Sequence, residues 1–465
     1  MSHAFDTMPA MQLRAAIASR QISPVELVQR ALQRLEEVEP HINAFAQVTA
    51  PLAMAAAREA ERKVLAGEPL GLLHGLPVSV KDLLAVQGVP WRFGSRTEAA
   101  RIASLDAVAV ERIKAQGGCI IGKTTTSEFG CKAVGDSPLH GLTRNPWDLS
   151  RTAGGSSAGA AASVACGVSA LALGTDGGGS LRIPAAMNRL VGLKPSFGRV
   201  PFFPAAATPT LAHIGPLART VGDAALLLQA VAGFDERDPL SLQTAVPDFI
   251  GACEQSLGKL RLAWSPTLGY ARPDPHVLAV AERAALVFAD LGCEVEWVPW
   301  TLPDPQQLWH EIFYGGVAQR LRETVEQRPE RLDPTILPWL RLALQRPRAN
   351  PQHQAVVLAA LHQAMAQLFA HHDLLLTPTL PIGAPSAGQS TPAGHEGRDP
   401  ISWSYYTYPF NLTGHPAISV PAGQTAEGLE VGLQIVAPLY QEARLLSAAA
   451  AFERVRPWAS VLPLA

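Results

Sequence analysis

Between residues 153 and 175 the chain carries no charged side chain, yet this run contains five glycines and four serines rather than the large apolar residues that favour membrane insertion. Such a segment belongs inside a folded protein, and the rest of the chain must be able to surround it. With 465 residues, 48% of them hydrophobic and 17% charged, the sequence supplies a sizeable core and argues against long disordered tracts. Length admits one large domain or two. The expectation here is a single domain over 1–465.

Helix starts and short apolar strands alternate along the chain. Ser23-Pro24-Val25-Glu26 combines an N-cap serine, a first-turn proline and a glutamate at the third helical position, which predicts a helix to about Val38. Asp106 is expected to cap a helix containing Val110 and Ile113, ended by Gly117-Gly118, with Cys119-Ile120-Ile121 following as a strand. Thr220 and Asp223 form a capping box ahead of 224–232, and 168–173 reads as another strand. Uninterrupted apolar strands between helices need cover on both sides. The fold class is therefore α/β, a large mixed β-sheet core with helices on both faces. From about 303 to 372 the pattern becomes helical and rich in Leu, Gln and Arg, with breaks at Pro334, Pro338, Pro347 and Pro351, and is expected to be peripheral. The Gly-, Pro- and Ser-dense stretch 381–400 predicts a long loop.

Charge balance narrows the partners. Lys and Arg number 38 against 40 Asp and Glu, a formal charge of -2, so no cationic excess is available to track a nucleic-acid backbone. Five scattered cysteines without a C-x-x-C pair read as thiols in a reducing compartment, and the amino terminus lacks a basic-then-apolar signal, so the expected location is cytoplasmic. No membrane partner is expected, and homodimerisation is left open.

Three motifs compete for the function. Gly117-Gly118-Cys119-Ile120-Ile121-Gly122-Lys123-Thr124 matches the phosphate-binding P-loop letter for letter. That loop must follow a strand and open a helix, whereas here the helix comes first and the strand lies inside the motif. Gly155-Ser156-Ser157-Ala158-Gly159 matches the G-x-S-x-G elbow of α/β-hydrolases, with Ser157 as nucleophile. Its required preceding strand is missing, because 145–151 is turn-like and contains Pro146. The third constellation joins Gly75-Leu76-Pro77-Val78-Ser79-Val80-Lys81-Asp82, Gly154-Gly155-Ser156-Ser157-Ala158-Gly159 and Gly174-Thr175-Asp176-Gly177-Gly178-Gly179-Ser180-Leu181-Arg182-Ile183-Pro184-Ala185.

Taken together, these blocks resemble the amidase signature family, whose members use a Ser-Ser-Lys triad. The separations agree, with 75 residues from Lys81 to Ser156 and 24 from Ser156 to Ser180. The likeness continues through Asn145-Pro146-Trp147-Asp148-Leu149, Gly192-Leu193-Lys194-Pro195-Ser196, Gly215-Pro216-Leu217-Ala218-Arg219, Asn411-Leu412-Thr413-Gly414-His415-Pro416-Ala417 and Gly432-Leu433-Gln434. Ala158, Gly177 and Ser196 depart from the more usual glycine, threonine and threonine without removing a catalytic group.

The resemblance implies an amidase signature fold and an amidase that releases a carboxylate and ammonia or an amine through a Ser180 acyl-enzyme. Ser156 would follow a cis peptide bond from Gly155 and bridge Lys81 to Ser180. Taken alone, Lys81 reads as a solvated strand-end cation and Ser156 as a helix cap. As a base, Lys81 must be buried to disfavour its ammonium form, with Asp82 pointing to the opposite side. Backbone amides of Gly177, Gly178, Gly179 and Ser180 are expected to form an oxyanion hole, and Thr175, Asp176 and Arg182 to hold that loop. Trp309, Phe313, Tyr314, Tyr405, Tyr406 and Phe410 are candidates for an apolar substrate pocket. The partner is then a small-molecule amide, and no cofactor or metal is required. His371-His372-Asp373 lacks the spacing of a zinc motif. Two other readings stay open, the amidase subunit of a tRNA-dependent amidotransferase and a non-catalytic binding protein on the same scaffold.

Overall fold

Ser23 Oγ accepts hydrogen bonds from the amides of Val25 (3.0 Å) and Glu26 (3.2 Å), and the helix it starts, α1 (Pro24–Ile42), continues past Val38 to stop at Asn43, φ 50°. The computed structural model describes residues 4–346, 350–458 and 461–464. Asp106 does not cap α2 (Val108–Ala115): Ala107 holds that position, while the Asp106 carboxylate accepts from the Gln87 amide and from Lys114, each at 2.7 Å. At α5 (Val221–Val231) only half of the capping box forms. Thr220 accepts from the Asp223 amide at 3.1 Å, but Asp223 Oδ1 accepts from the amide of Met11 at 2.9 Å.

Eleven strands build one mixed sheet: β1 (Phe45–Val48), β2 (Pro77–Lys81), β3 (Cys119–Thr124), β4 (Leu171–Asp176), β5 (Val191–Lys194), β6 (His213–Ala218), β7 (Arg261–Trp264), β8 (Glu294–Trp297), β9 (Leu374–Pro378), β10 (Ala417–Gln424) and β11 (Glu430–Val436). Their spatial order is β1-β3-β2-β4-β6-β5-β10-β11-β9-β7-β8. Strands β3, β2 and β4 run parallel, so their carboxyl ends lie together at one edge of the sheet. In open α/β sheets that edge is where ligands bind.

Alternation of side chains across the pleat distributes the core between two faces. Val78, Val80, Ile120, Leu171 and Leu173 pack with α2, α5 and the helices Pro275–Asp290 and Glu442–Val455. Cys119 and Ile121 turn to the other face, against α1 and α3 (Ala158–Ala165). The uncharged run thus becomes α3 and β4, and every residue of both is buried. Strand β4 begins at Leu171 rather than Val168, because Gly167 to Ala170 form the turn out of α3.

Beyond Pro305 come α6 (Gln306–Arg320), Arg322–Gln327, α7 (Leu337–Gln345) and α8 (Pro351–Phe369). Pro338 and Pro351 sit in first turns, where proline's missing N–H costs nothing, so they start helices rather than break them. Pro347 lies outside the described residues. No helix or strand forms over 381–400. Among the described residues no helix is long and apolar enough to cross a membrane.

Two motif readings change in detail. The P-loop letters end inside β3, where Lys123 is buried against Asp82 at 2.8 Å, leaving no loop to curl around a phosphate. Residues Arg144–Asn145 and Asp148–Thr152 form a small antiparallel hairpin, so a strand does precede the G-x-S-x-G letters, but it stands outside the main sheet.

Candidate active site

Lys81 ends β2 on the same side as Ser79, whose hydroxyl lies 3.4 Å from Ser163 of α3. Its Nζ is 2.7 Å from Ser156 Oγ and 3.0 Å from Thr175 Oγ1, and Ser156 Oγ is 2.8 Å from Ser180 Oγ. The three side chains therefore form one continuous chain of hydrogen bonds. Asp82 points away, accepting from Lys123 Nζ and the Arg92 amide. Burial pushes Lys81 well below the ordinary lysine value, and the charge of Asp176 opposes this only in part. Burial of an amine against a hydroxyl favours its neutral form.

Ser156 follows a cis peptide bond from Gly155. Glycine is required before it by space, since a Cβ at 155 would sit 2.3 Å from the Val134 carbonyl oxygen. The neighbouring Ser157 donates to the Thr175 carbonyl at 3.2 Å and is fully buried, which ties it into the scaffold.

The turn from β4 into α4 (Arg182–Met187) presents Ser180. Asp176 shapes it, accepting from the Gly179 amide (2.7 Å) and the Leu181 amide (3.2 Å). The Gly179 N–H is thereby occupied, which corrects its expected place in an oxyanion hole, whereas the amides of Gly177, Gly178 and Ser180 have no acceptor among the described residues. Gly179 instead serves by conformation, with φ 129° and no room for a side chain beside Thr407.

Arg182 is completely buried and spends all its donors: two on Asp176 (3.1 and 3.0 Å) and one each on Asn411 Oδ1 (2.8 Å), Gln434 Oε1 and the Thr407 carbonyl (both 2.9 Å). Burial alone would raise the Asp176 carboxyl, but the charge and hydrogen bonds of Arg182, with a hydrogen bond from Asn411, hold it far below the usual range. Arg182→Leu strands that carboxylate and is expected to destabilise the fold by about 3–5 kcal/mol. Urea unfolding monitored by circular dichroism measures this.

Ser156, Thr175, Gly177 and Ser180 lie in the wall of a cavity of about 700 Å³, its open mouth included, lined otherwise by Leu83, Trp91, Phe93, Phe129, Phe202, the loop 204–208, Phe313, Val317 and Arg320 among others. Of the six aromatic candidates only Phe313 faces it. Trp309 backs the site, donating from Nε1 to the Gly177 carbonyl at 2.9 Å and stacking on Phe313. Tyr314 lies deeper, its hydroxyl bound to the Cys131 carbonyl and Asp399. Tyr405, Tyr406 and Phe410 belong to a separate core against β7, β9, β10 and β11, because the loop carrying them passes behind the Ser180 turn, where Thr407 donates to the Gly178 carbonyl at 2.7 Å.

The cavity aromatics Trp91, Phe93, Phe129 and Phe202 sit in irregular segments without periodicity, so no sequence signal separates them from core. Asn411 and Gln434 had a usable signal, an amide set among apolar neighbours. The Phe129-Gly130 turn, with Phe129 at φ 51°, is anchored by buried Glu128, which accepts from Ser95 Oγ and the Asp333 amide, both at 2.6 Å. His372 and Asp373 bond to Glu296 and Arg444, and no cluster of three His, Cys, Asp or Glu among the described residues is arranged to hold a metal.

A buried lysine, two serines in series and a strand-end turn whose amides lack an acceptor among the described residues are brought together beside one cavity. The amidase family model matches residues 26–446, and the chain belongs to the amidase family. It is an enzyme that hydrolyses amide C–N bonds. An acylamidase of Rhodococcus erythropolis is 39% identical over 98% of this chain and 97% of its own length. A glutamyl-tRNA(Gln) amidotransferase subunit of Gloeobacter violaceus is 34% identical over 96% of each chain. Among solved structures, a bacterial aryl acylamidase of the amidase signature family superposes with a TM-score of 0.90 at 31% identity, covering 97% of both chains.

Proposed function

We propose that the protein is an acylamidase with an apolar substrate site, in which Ser180 is the nucleophile and Ser156 relays its proton to Lys81. The observation that carries this is the unbroken contact from Lys81 Nζ through Ser156 Oγ to Ser180 Oγ at the wall of a largely apolar cavity. In acylation the Ser180 Oγ–carbonyl bond forms as the Ser180 proton passes to Ser156 and the Ser156 proton to Lys81. Amides of Gly177, Gly178 and Ser180 stabilise the oxyanion, each donor contributing about 3 kcal/mol. The proton then returns through Ser156 to the leaving nitrogen, the C–N bond breaks, and water enters to release the carboxylic acid by the same relay. No step requires a cofactor.

The cavity also separates this reading from glutamine-dependent ammonia transfer. A free amino acid brings an ammonium group, and among the described residues no carboxylate lines the cavity to receive one. Five free, buried thiols fit a reducing cytoplasmic setting, and a single domain spanning the chain fits one continuous sheet.

The test is a panel of aliphatic amides, anilides and L-glutamine, followed by rapid quenching and mass spectrometry of the digested enzyme. An anilide is expected to be hydrolysed and to leave its acyl mass on the peptide containing Ser180, while glutamine is inert. An acyl group on another residue, or no covalent species with turnover intact, would overturn the mechanism.

A further inference from the structure

Among the described residues, one charged side chain lines the cavity, that of Arg320. It stands at the last residue of α6, on the stripe formed by Trp309, Phe313, Val317 and Arg320, whose spacings of four and three place them on one helix face. This stripe runs outward from the chemistry. Trp309 holds the Gly177 carbonyl, and Phe313 lies against Gly177, where a Cβ would come within 3.2 Å of its ring. Seven residues separate Phe313 from Arg320, so the guanidinium is rooted about 10 Å farther along the helix axis.

The Arg320 guanidinium carbon lies over two cavity rings, 4.6 Å from the centroid of Phe93 and 6.0 Å from that of Phe129. No residue among those described accepts a hydrogen bond from its N–H groups. Arg101 also lies over Trp91 and Phe93 and is paired with Glu98 at 3.1 Å, and Glu98 acts on Arg320 at longer range, so two guanidiniums share one carboxylate and the mouth keeps a net positive charge. A fork of donors without protein acceptors, set against an aromatic wall, matches a planar, bidentate anion.

We infer that Arg320 is a specificity-determining residue that selects amides bearing a carboxylate remote from the scissile bond. This rests on the acylamidase reading above, and it narrows the substrate class to half-amides of dicarboxylic acids or to amides of carboxylated amines. The apolar walls take the spacer, and the guanidinium takes its charged end.

Two substrate series test it: anilides of dicarboxylic acids from succinic to sebacic, and N-acyl aminobenzoates, each beside its methyl ester. In one series wild-type kcat/KM is expected to favour the acid, with the advantage rising as the spacer approaches the Phe313–Arg320 span. The acid-to-ester ratio is expected to fall about tenfold or more in Arg320→Met, the size of one charge-assisted contact. Arg320→Lys should restore part of the ratio, and Arg320→Glu should favour a matched amine-terminated substrate. A ratio unchanged by Arg320→Met and Arg320→Glu, or a wild type that prefers the ester throughout both series, overturns the assignment. Failure of simple anilides as well would instead sink the acylamidase reading.

Discussion

Alanine at Ser180 is expected to leave the fold intact and to lower kcat/KM toward any cleaved amide by about 10⁵–10⁶-fold, because a relay acts as a unit and loses nearly everything with its nucleophile. Three serines crowd this region, and their surroundings decide which one reacts. Ser157 is sealed at 0% exposure with its hydroxyl on a carbonyl, Ser156 at 1% is held between Lys81 and Ser180, and Ser180 at 7% meets the cavity. Steady-state kinetics with fluorophosphonate labelling checks the assignment. Labelling should vanish in Ser180→Ala and persist in Ser157→Ala, and activity within tenfold of wild type in Ser180→Ala would exclude Ser180 as nucleophile.

Lys81→Met should cost roughly 10³–10⁴-fold in kcat/KM, the contribution of a positioned general base. The methionine fills much of the lysine's volume, so the loss should be in chemistry more than in folding. The pH dependence has a definite sign. Burial lowers the folded-state pKa of Lys81, and the relay needs the neutral amine, so activity should be full above that lowered value and fall as pH drops through it. The same shift links to stability. Between the lowered value and the ordinary lysine value the unfolded chain binds a proton that the folded protein does not, so this residue's contribution to stability rises with pH across that window. Lys81→Met should abolish that rise along with the acid limb of the rate profile. Unfolding measured across the window in both proteins reads it directly.

Much of the scaffold was legible because local rules and packing agreed. The Ser23 cap, the buried β3 and the alternation of Val78 and Val80 with Ser79 and Lys81 follow from residue type and period alone. Asp106 was misleading because a carboxylate ahead of a helix has more than one use, and here a lysine two turns on claimed it. The site was legible where residues close in sequence act together, as in the run from Thr175 to Arg182. It was illegible where distant segments supply a surface. Nothing about Phe129 or Phe202 distinguishes a cavity wall from a core, and Tyr405 and Tyr406 have the same chemistry on the wrong side of the turn. Gly179 shows a finer limit, since a glycine triplet announces close backbone approach without saying which amide a carboxylate will take.

The clasp on the Ser180 turn also bears on how the enzyme is made. Thr407, Asn411 and Gln434 grip residues 178 to 182 across more than 220 intervening positions. Contacts of such sequence separation carry a high loop-closure cost and form slowly. During synthesis the amino-terminal part of the sheet emerges with its lysine and both serines already present, but Arg182 and Asp176 have no lid until the carboxyl-terminal segment leaves the ribosome. The clasp that holds the Ser180 turn is therefore expected to close late in folding.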